Sequence, residues 1–125
     1  MPSNRPTSAE LLDAVQKFLK AEILPALSGS SKYQVQVALT ALGIVGREIA
    51  SADQLDAAEA ARLENLLHAG GSRAELNRLL CARIRERRAT YRDAALIEHL
   101  RLTTMGKMSI DNPKYATYLQ ARESP

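Results

Sequence analysis

The chain has 125 residues, 46% of them hydrophobic and 25% charged, with six glycines and five prolines, which suits one folded domain and excludes collagen-like, low-complexity and disordered polar sequence. One cysteine excludes an intrachain disulfide framework and a thiolate-rich zinc site, and no stretch reaches the roughly 20 uninterrupted apolar residues of a membrane span. The formal charge of +3 is unevenly spread: residues 1–72 carry a net −2 and residues 73–125 a net +5, a polarisation that suits an acidic partner or ligand.

Met1–Thr7 is polar and lacks a hydrophobic run ahead of a cleavage site, so no signal peptide is expected and the cytoplasm is the expected compartment. With aromatics at 4% and no tryptophan, the core must be aliphatic. The first helix should start at Thr7, where Thr7 and Glu10 form the S/T-x-x-E capping box. Leu11, Leu12, Val15, Phe18, Leu19 and Ile23 then recur at helical spacing until Pro25 and Ser28-Gly29-Ser30 end the run.

A second helix is expected over residues 31–50. Tyr33–Val37 alternates like a strand, but no second alternating segment exists to pair with it. The following residues are apolar on nearly every face, which reads as a buried central helix. Gly43, Gly46 and Ala50 share one side, where close approach of a neighbour would offset the roughly 1 kcal/mol that each glycine costs.

The third helix should run from Asp53 or Gln54 to His68. Leu55, Ala58, Leu63, Leu66 and Leu67 form its buried side, and Gly70-Gly71 its stop. Ser72 and Glu75 suggest a second capping box. The fourth helix then carries Leu76, Leu79, Leu80 and Ile84 to about Arg88. A fifth carries Leu96, Leu100, Thr103 and Met108 to Asn112-Pro113, and Tyr115, Tyr118 and Leu119 suit a short last turn. Short connections favour an all-α fold: a single antiparallel bundle of five or six helices with no sheet, ordered over residues 7–119 with loose termini at 1–6 and 121–125.

Few residues suggest catalysis. His68 and His99 fall on different helices and outside any H-x-x-x-H or E-x-x-H pattern, so no metal site is expected. His68 reads as a helix C-terminal residue, and His99 beside Glu98 leaves a proton-transfer role open. Cys81, after Leu79 and Leu80, reads as a small buried hydrophobe; a reactive thiolate would need exposure and a basic neighbour such as Arg78 or Arg85. No G-x-S-x-G, P-loop or dinucleotide fingerprint is present, and no cofactor is expected.

Arg83-Ile84-Arg85-Glu86-Arg87-Arg88 and Arg92 place five arginines against one glutamate within ten residues. A solvated helix end, a docking patch for a protein or an acyl-CoA phosphate, and a nucleic-acid surface all fit such a cluster. Scarce aromatics and an acidic N-terminal half argue against nucleic acid. In the segment Leu100–Tyr115, Lys107 and Asp111 have the i,i+4 spacing of an ion pair, and Asn112-Pro113 can end one helix and cap the next.

Two segments carry a family resemblance. The opening Arg5-Pro6-Thr7-Ser8-Ala9-Glu10-Leu11-Leu12-Asp13-Ala14-Val15, with Phe18-Leu19 and Leu24-Pro25, resembles the start of a bacterial group of small helical proteins. The close, Leu100-Arg101-Leu102-Thr103-Thr104 with Lys107 and Ile110-Asp111-Asn112-Pro113-Lys114-Tyr115, resembles its end. The group is encoded beside aminoglycoside-phosphotransferase-like kinases and acyl-CoA dehydrogenases and includes the small subunit of the levulinate-catabolism kinase. The resemblance implies a non-catalytic accessory subunit of a kinase that phosphorylates a 4-hydroxyacyl-CoA, and it carries no catalytic residues over. On that expectation Arg83, Arg87, Arg88 and Arg92 serve electrostatic docking, and Lys107, Asp111 and Asn112 form a second contact corner. Two alternatives stand beside it: a self-associating protein that binds an acidic small ligand such as an acyl-CoA, and a small enzyme using His99 and Glu98.

Overall fold

The structure, a computed structural model, describes residues 4–123; residues 1–3 and 124–125, parts of the two termini expected to be loose, lie outside the described residues. The protein is all-α: five α-helices, 81% helical, with no strand among the described residues. They are α1 (Ser8–Phe18), α2 (Gly29–Leu67), α3 (Arg73–Arg85), α4 (Ala94–Asp111) and α5 (Ala116–Glu123). The chain divides into two compact units, residues 1–52 and 53–125.

In the first unit the Thr7 hydroxyl accepts from the Glu10 N–H at 3.2 Å, and the Glu10 carboxylate accepts from the Thr7 N–H at 3.3 Å. Arg5 grips the same carboxylate through two bonds of 3.1 Å, which hold its pKa below the ordinary value. Beyond Phe18 the helical path widens into a π-turn over Leu19–Ile23 and tightens into a 3-10 turn over Leu24–Ala26. Pro25 accounts for this change: its ring crowds the carbonyl four residues back, and the wider turn relieves the crowding.

α2 is one helix of 39 residues where the sequence predicts two. Ser51, Ala52 and Asp53 reads as a break, but each residue costs only up to about 0.7 kcal/mol in a helix interior, and neither glycine nor proline stands there. Tyr33–Val37 is helical despite its alternation. The expected close approach is present at Gly46, where a Cβ would stand 3.3 Å from Leu12 Cδ2 of α1; at Gly43 the tight neighbour, at 3.2 Å, is the Arg47 guanidinium of α2 itself, and Gln16 of α1 stands at 3.8 Å. α2 also holds an 18-residue window of mean hydropathy 1.3, none of it buried, which makes it long and apolar enough to cross a membrane by length and composition. Residues 33–46 are its longest run free of Asp, Glu, Lys and Arg. At about 1.5 Å per residue that run rises roughly 21 Å, short of the ~30 Å hydrocarbon core of a bilayer.

In the second unit the core is five buried leucines: Leu63 and Leu67 of α2, Leu76 and Leu80 of α3, and Leu96 of α4. Leu66, Ala69, Leu79 and Ala89 pack around them. The i,i+4 pairs on α2 and α3 are the apolar stripes visible in sequence. Ile84 and Leu100, expected to join them, are 42% exposed. Gly106 of α4 lets Leu55 of α2 approach: a Cβ there would lie 3.3 Å from Leu55 Cδ2.

α2 and α3 each stop on a non-glycine residue in the left-handed region. α2 ends at His68 (φ 51°), two residues before the glycine pair taken as its stop. α3 ends in a Schellman motif around Arg87 (φ 61°), with Arg88 N–H donating to Arg83 C=O at 2.8 Å and Arg87 N–H to Ile84 C=O at 3.1 Å. The α3 start forms one half of the expected capping box: Ser72 Oγ accepts from Glu75 N–H at 3.1 Å, while the Glu75 carboxylate accepts from the Ser72 hydroxyl at 3.0 Å. α4 ends at Asn112, whose carbonyl accepts from Tyr115 N–H at 3.1 Å across Pro113. The final helix runs on to Glu123, past the short turn predicted.

Candidate functional site

The polar chemistry of the second unit gathers where α2, α3 and α4 meet. Glu59 is buried, 8% exposed, on the α2 stripe that also carries Leu63 and Leu67. Its carboxylate accepts from Arg73 Nη1 at 3.0 Å and from Asn77 Nδ2 at 3.4 Å, both from α3. Arg73 also reaches Asp56 at 3.6 Å. One turn further along α2, Arg62 donates from Nε to His99 Nδ1 at 3.1 Å and from Nη2 to Thr103 Oγ1 at 3.2 Å, tying α2 to α4.

His99 is 3% exposed. Burial, helped by the nearby Arg62 charge and opposed by Glu59, pushes its pKa below the ordinary 6.5. A neutral ring is what the geometry requires, because Nδ1 can accept from Arg62 only when unprotonated. Glu98 is turned elsewhere: Arg101 grips it through bonds of 3.0 and 2.9 Å, which hold its carboxyl below the usual range. His99, Glu98, Arg62 and Asn65 line a cleft of about 270 Å³. His99 serves there as an acceptor for Arg62.

The arginine cluster divides into separate duties. Arg83 donates from Nη2 to the Leu67 carbonyl at 3.1 Å, closing the end of α2, while its buried Nε has no partner. Arg87 is the left-handed residue of the α3 stop. Arg88 is exposed and paired with Glu86 at 3.5 Å. Arg92 stacks on the exposed Tyr91, 5.7 Å from the ring centroid. Arg83 and Arg88 line one cavity of about 400 Å³, together with His68, Asp93 and the first residues of α4.

The second corner does not assemble as a pair. Lys107 and Asp111 are both exposed and make no ion pair, since a solvated i,i+4 contact is worth only a few tenths of a kcal/mol and does not hold two long side chains. Asn112 ends α4, as expected; the next helix opens instead on the Tyr115 carbonyl, which accepts from Leu119 N–H at 3.0 Å. Beside this corner an apolar groove of about 500 Å³ runs between α4 and α5, lined by Ile97, Leu100, Met105, Met108, Tyr115 and Tyr118.

Cys81 is exposed, against the buried reading. Leu76 and Leu80 fix the inward face of α3, and the next residue lies 100° round the helix from Leu80. The residues that sequence reasoning missed are Glu59, Arg62, Arg73 and Asn77. The available signal was Glu59 itself, a carboxylate at i−4 from Leu63 inside an apolar i,i+4 stripe. Among the described residues no group of three or more His, Cys, Asp or Glu is placed to hold a metal ion.

Residues 25–115 match the model of a domain of unknown function, DUF6285, and the chain belongs to that family. No curated protein and no solved structure matches the chain.

Proposed function

We propose that this chain is a non-catalytic accessory subunit of an aminoglycoside-phosphotransferase-like kinase acting on the hydroxyl of a 4-hydroxyacyl-CoA in the cytoplasm, without a cofactor of its own and without nucleic-acid or membrane partners. The observation that carries the reading is the apolar surface of the first unit. Leu11, Val15 and Phe18 of α1 and Tyr33, Val37, Val45 and Ile49 of α2 are between 43% and 67% exposed, and none of the described residues in that unit is buried. Apolar side chains at helical spacing, left open to this extent, suit a chain that completes its packing on another protein. The N-terminal resemblance lies in the same segment.

Co-expression with the neighbouring kinase followed by size-exclusion chromatography tests the proposal. One co-eluting peak is expected, and Phe18→Asp should split it. Two separate peaks at micromolar concentration, with full kinase activity in the kinase peak alone, would sink the reading. The apolar groove between α4 and α5 favours a second reading, a self-associating protein that takes an acyl-CoA without a kinase. That reading expects a homo-oligomer and a thermal shift with CoA thioesters; a monomer with no shift counts against it.

A further inference from the structure

The first unit is a helix pair with one apolar side. A Cβ on Gly46 would meet Leu12 at 3.3 Å and one on Gly43 would meet Gln16 at 3.8 Å, so α1 and the first half of α2 run antiparallel, with Leu12 and Gln16 on the two glycines. At about 100° per residue, Leu11, Val15 and Phe18 lie about 80–140° round α1 from the line through Leu12 and Gln16. Ala38, Val45 and Ile49 lie about 90–130° round α2 from the line through Gly43 and Gly46, in the same rotational sense. In an antiparallel pair that shared sense brings both sets to one side. The opposite flank of α1 carries Asp13 and Lys17, paired at 2.8 Å.

We propose that this apolar side is the interface of a two-fold dimer: a second copy of the chain covers it, and the two helix pairs close into an antiparallel four-helix bundle.

The area fits a dimer. Leu11, Val15, Phe18, Val45 and Ile49 are each 43–54% exposed, and with the exposed Ala38 and half-buried Leu42 they present roughly 500 Å² of apolar surface. A standard interface takes about 800 Å² from each partner, about 57–65% of it apolar, which is roughly 450–520 Å². Charge fits as well. A two-fold contact sets each group close to its own copy, where a charge repels itself, and none of these seven residues is charged. The unit also has no core of its own: it spans residues 1–52, and none of its described residues is buried. Helical units this small acquire a core by association.

Tyr33 and Val37 lie on the far side of α2 and stay outside the dimer. Phe18 and Val45 belong to the surface assigned above to a kinase, so the dimer and that complex exclude one another. The exclusion rests on the kinase reading; the dimer does not, and it makes no use of the α4–α5 groove.

Sedimentation velocity of the full chain from about 1 to 100 μM tests the proposal. A concentration-dependent shift from the 13.7 kDa monomer to twice that mass is expected. Ala38→Glu keeps a strong helix former at an exposed helix position and should raise the Kd at least about tenfold, and Phe18→Asp should do the same from α1. Val37→Glu, on the far side, and Leu100→Glu, in the α4–α5 groove, should leave the Kd unchanged. Far-UV circular dichroism reports whether Phe18→Asp keeps its helices; if it does not, Ala38→Glu decides alone. A monomer throughout, an assembly larger than a dimer, unchanged association in Ala38→Glu, or loss of the dimer in Leu100→Glu would overturn the proposal. A monomeric chain that still co-elutes with the kinase overturns the dimer and leaves the kinase reading standing; a dimer that never meets the kinase does the reverse.

Discussion

Replacing Arg73 by alanine puts the buried carboxylate of Glu59 to a direct test. Glu59 keeps only 11% of its side chain exposed, and its 3.0 Å partner Arg73 is 45% exposed. A charge-assisted hydrogen bond contributes about 1.5–3 kcal/mol, and breaking a fully buried ion pair costs about 3–5. Solvent around Arg73 screens part of that, so Arg73→Ala should destabilise by about 1.5–2.5 kcal/mol. Asn77, at 3.4 Å, is too distant to replace the guanidinium. Glu59→Leu removes the charge together with its need for a partner and continues the Leu63–Leu67 stripe, so it should cost less than about 1 kcal/mol or stabilise. The double variant Glu59→Leu/Arg73→Ala should then match Glu59→Leu, with a coupling energy as large as the Arg73→Ala cost, about 1.5–2.5 kcal/mol. Urea unfolding followed by circular dichroism gives all four corners of the cycle. If the double variant is as unstable as Arg73→Ala alone, the cost belongs to Arg73 and Asp56, and the account of Glu59 is wrong.

Leu63→Ala, at the fully buried centre of the core, should cost about 2–5 kcal/mol, while Ile84→Ala on the exposed side of α3 should cost under about 1 in the same assay. Arg87→Gly should raise stability by about 0.5–1 kcal/mol, because glycine adopts the left-handed conformation without steric cost; a lower melting temperature would show that the arginine side chain carries more than the turn does. The folded pKa of His99 lies below its unfolded value of 6.5, so the unfolded chain binds the proton first as pH falls. Its contribution is complete above about pH 6.5 and is lost on acidification through and below that value. His99→Gln keeps an acceptor for Arg62 and should flatten this part of the pH–stability curve; an unchanged slope would assign it to another group.

Local signals were legible in the sequence and long-range ones were not. Thr7 with Glu10 and Ser72 with Glu75 mark helix starts because the bonds they make are three residues long. The leucine stripes of α2 and α3 were legible because burial follows the helical period. The continuity of α2 through Ser51-Ala52-Asp53 was not, since residues with weak local preference leave the outcome to packing on both sides. The helix ends near His68 and Arg88 were legible, but the left-handed conformation of His68 and Arg87 was not, because a left-handed residue other than glycine leaves no compositional mark. The arginine cluster was visible as charge, but its division into a helix-closing Arg83, a turn-forming Arg87 and a surface Arg88 depends on where α2 ends and α4 begins. Glu59 and Arg62 were missed for a related reason: their partners stand 14 to 41 residues further along the chain.

The aliphatic core has an optical consequence. The buried cluster contains no aromatic ring, and the chain contains no tryptophan. Tyr33, Tyr91 and Tyr115 are 49–76% exposed, with Tyr118 partly so on the α4–α5 groove. Ultraviolet emission from this protein therefore originates at its periphery and is nearly blind to melting of the interior. Quenching or a rise in tyrosine emission on mixing with a second molecule becomes a background-free indicator of what has settled on the surface, with Tyr91 reporting for the arginine turn and Tyr33 for the apolar helices.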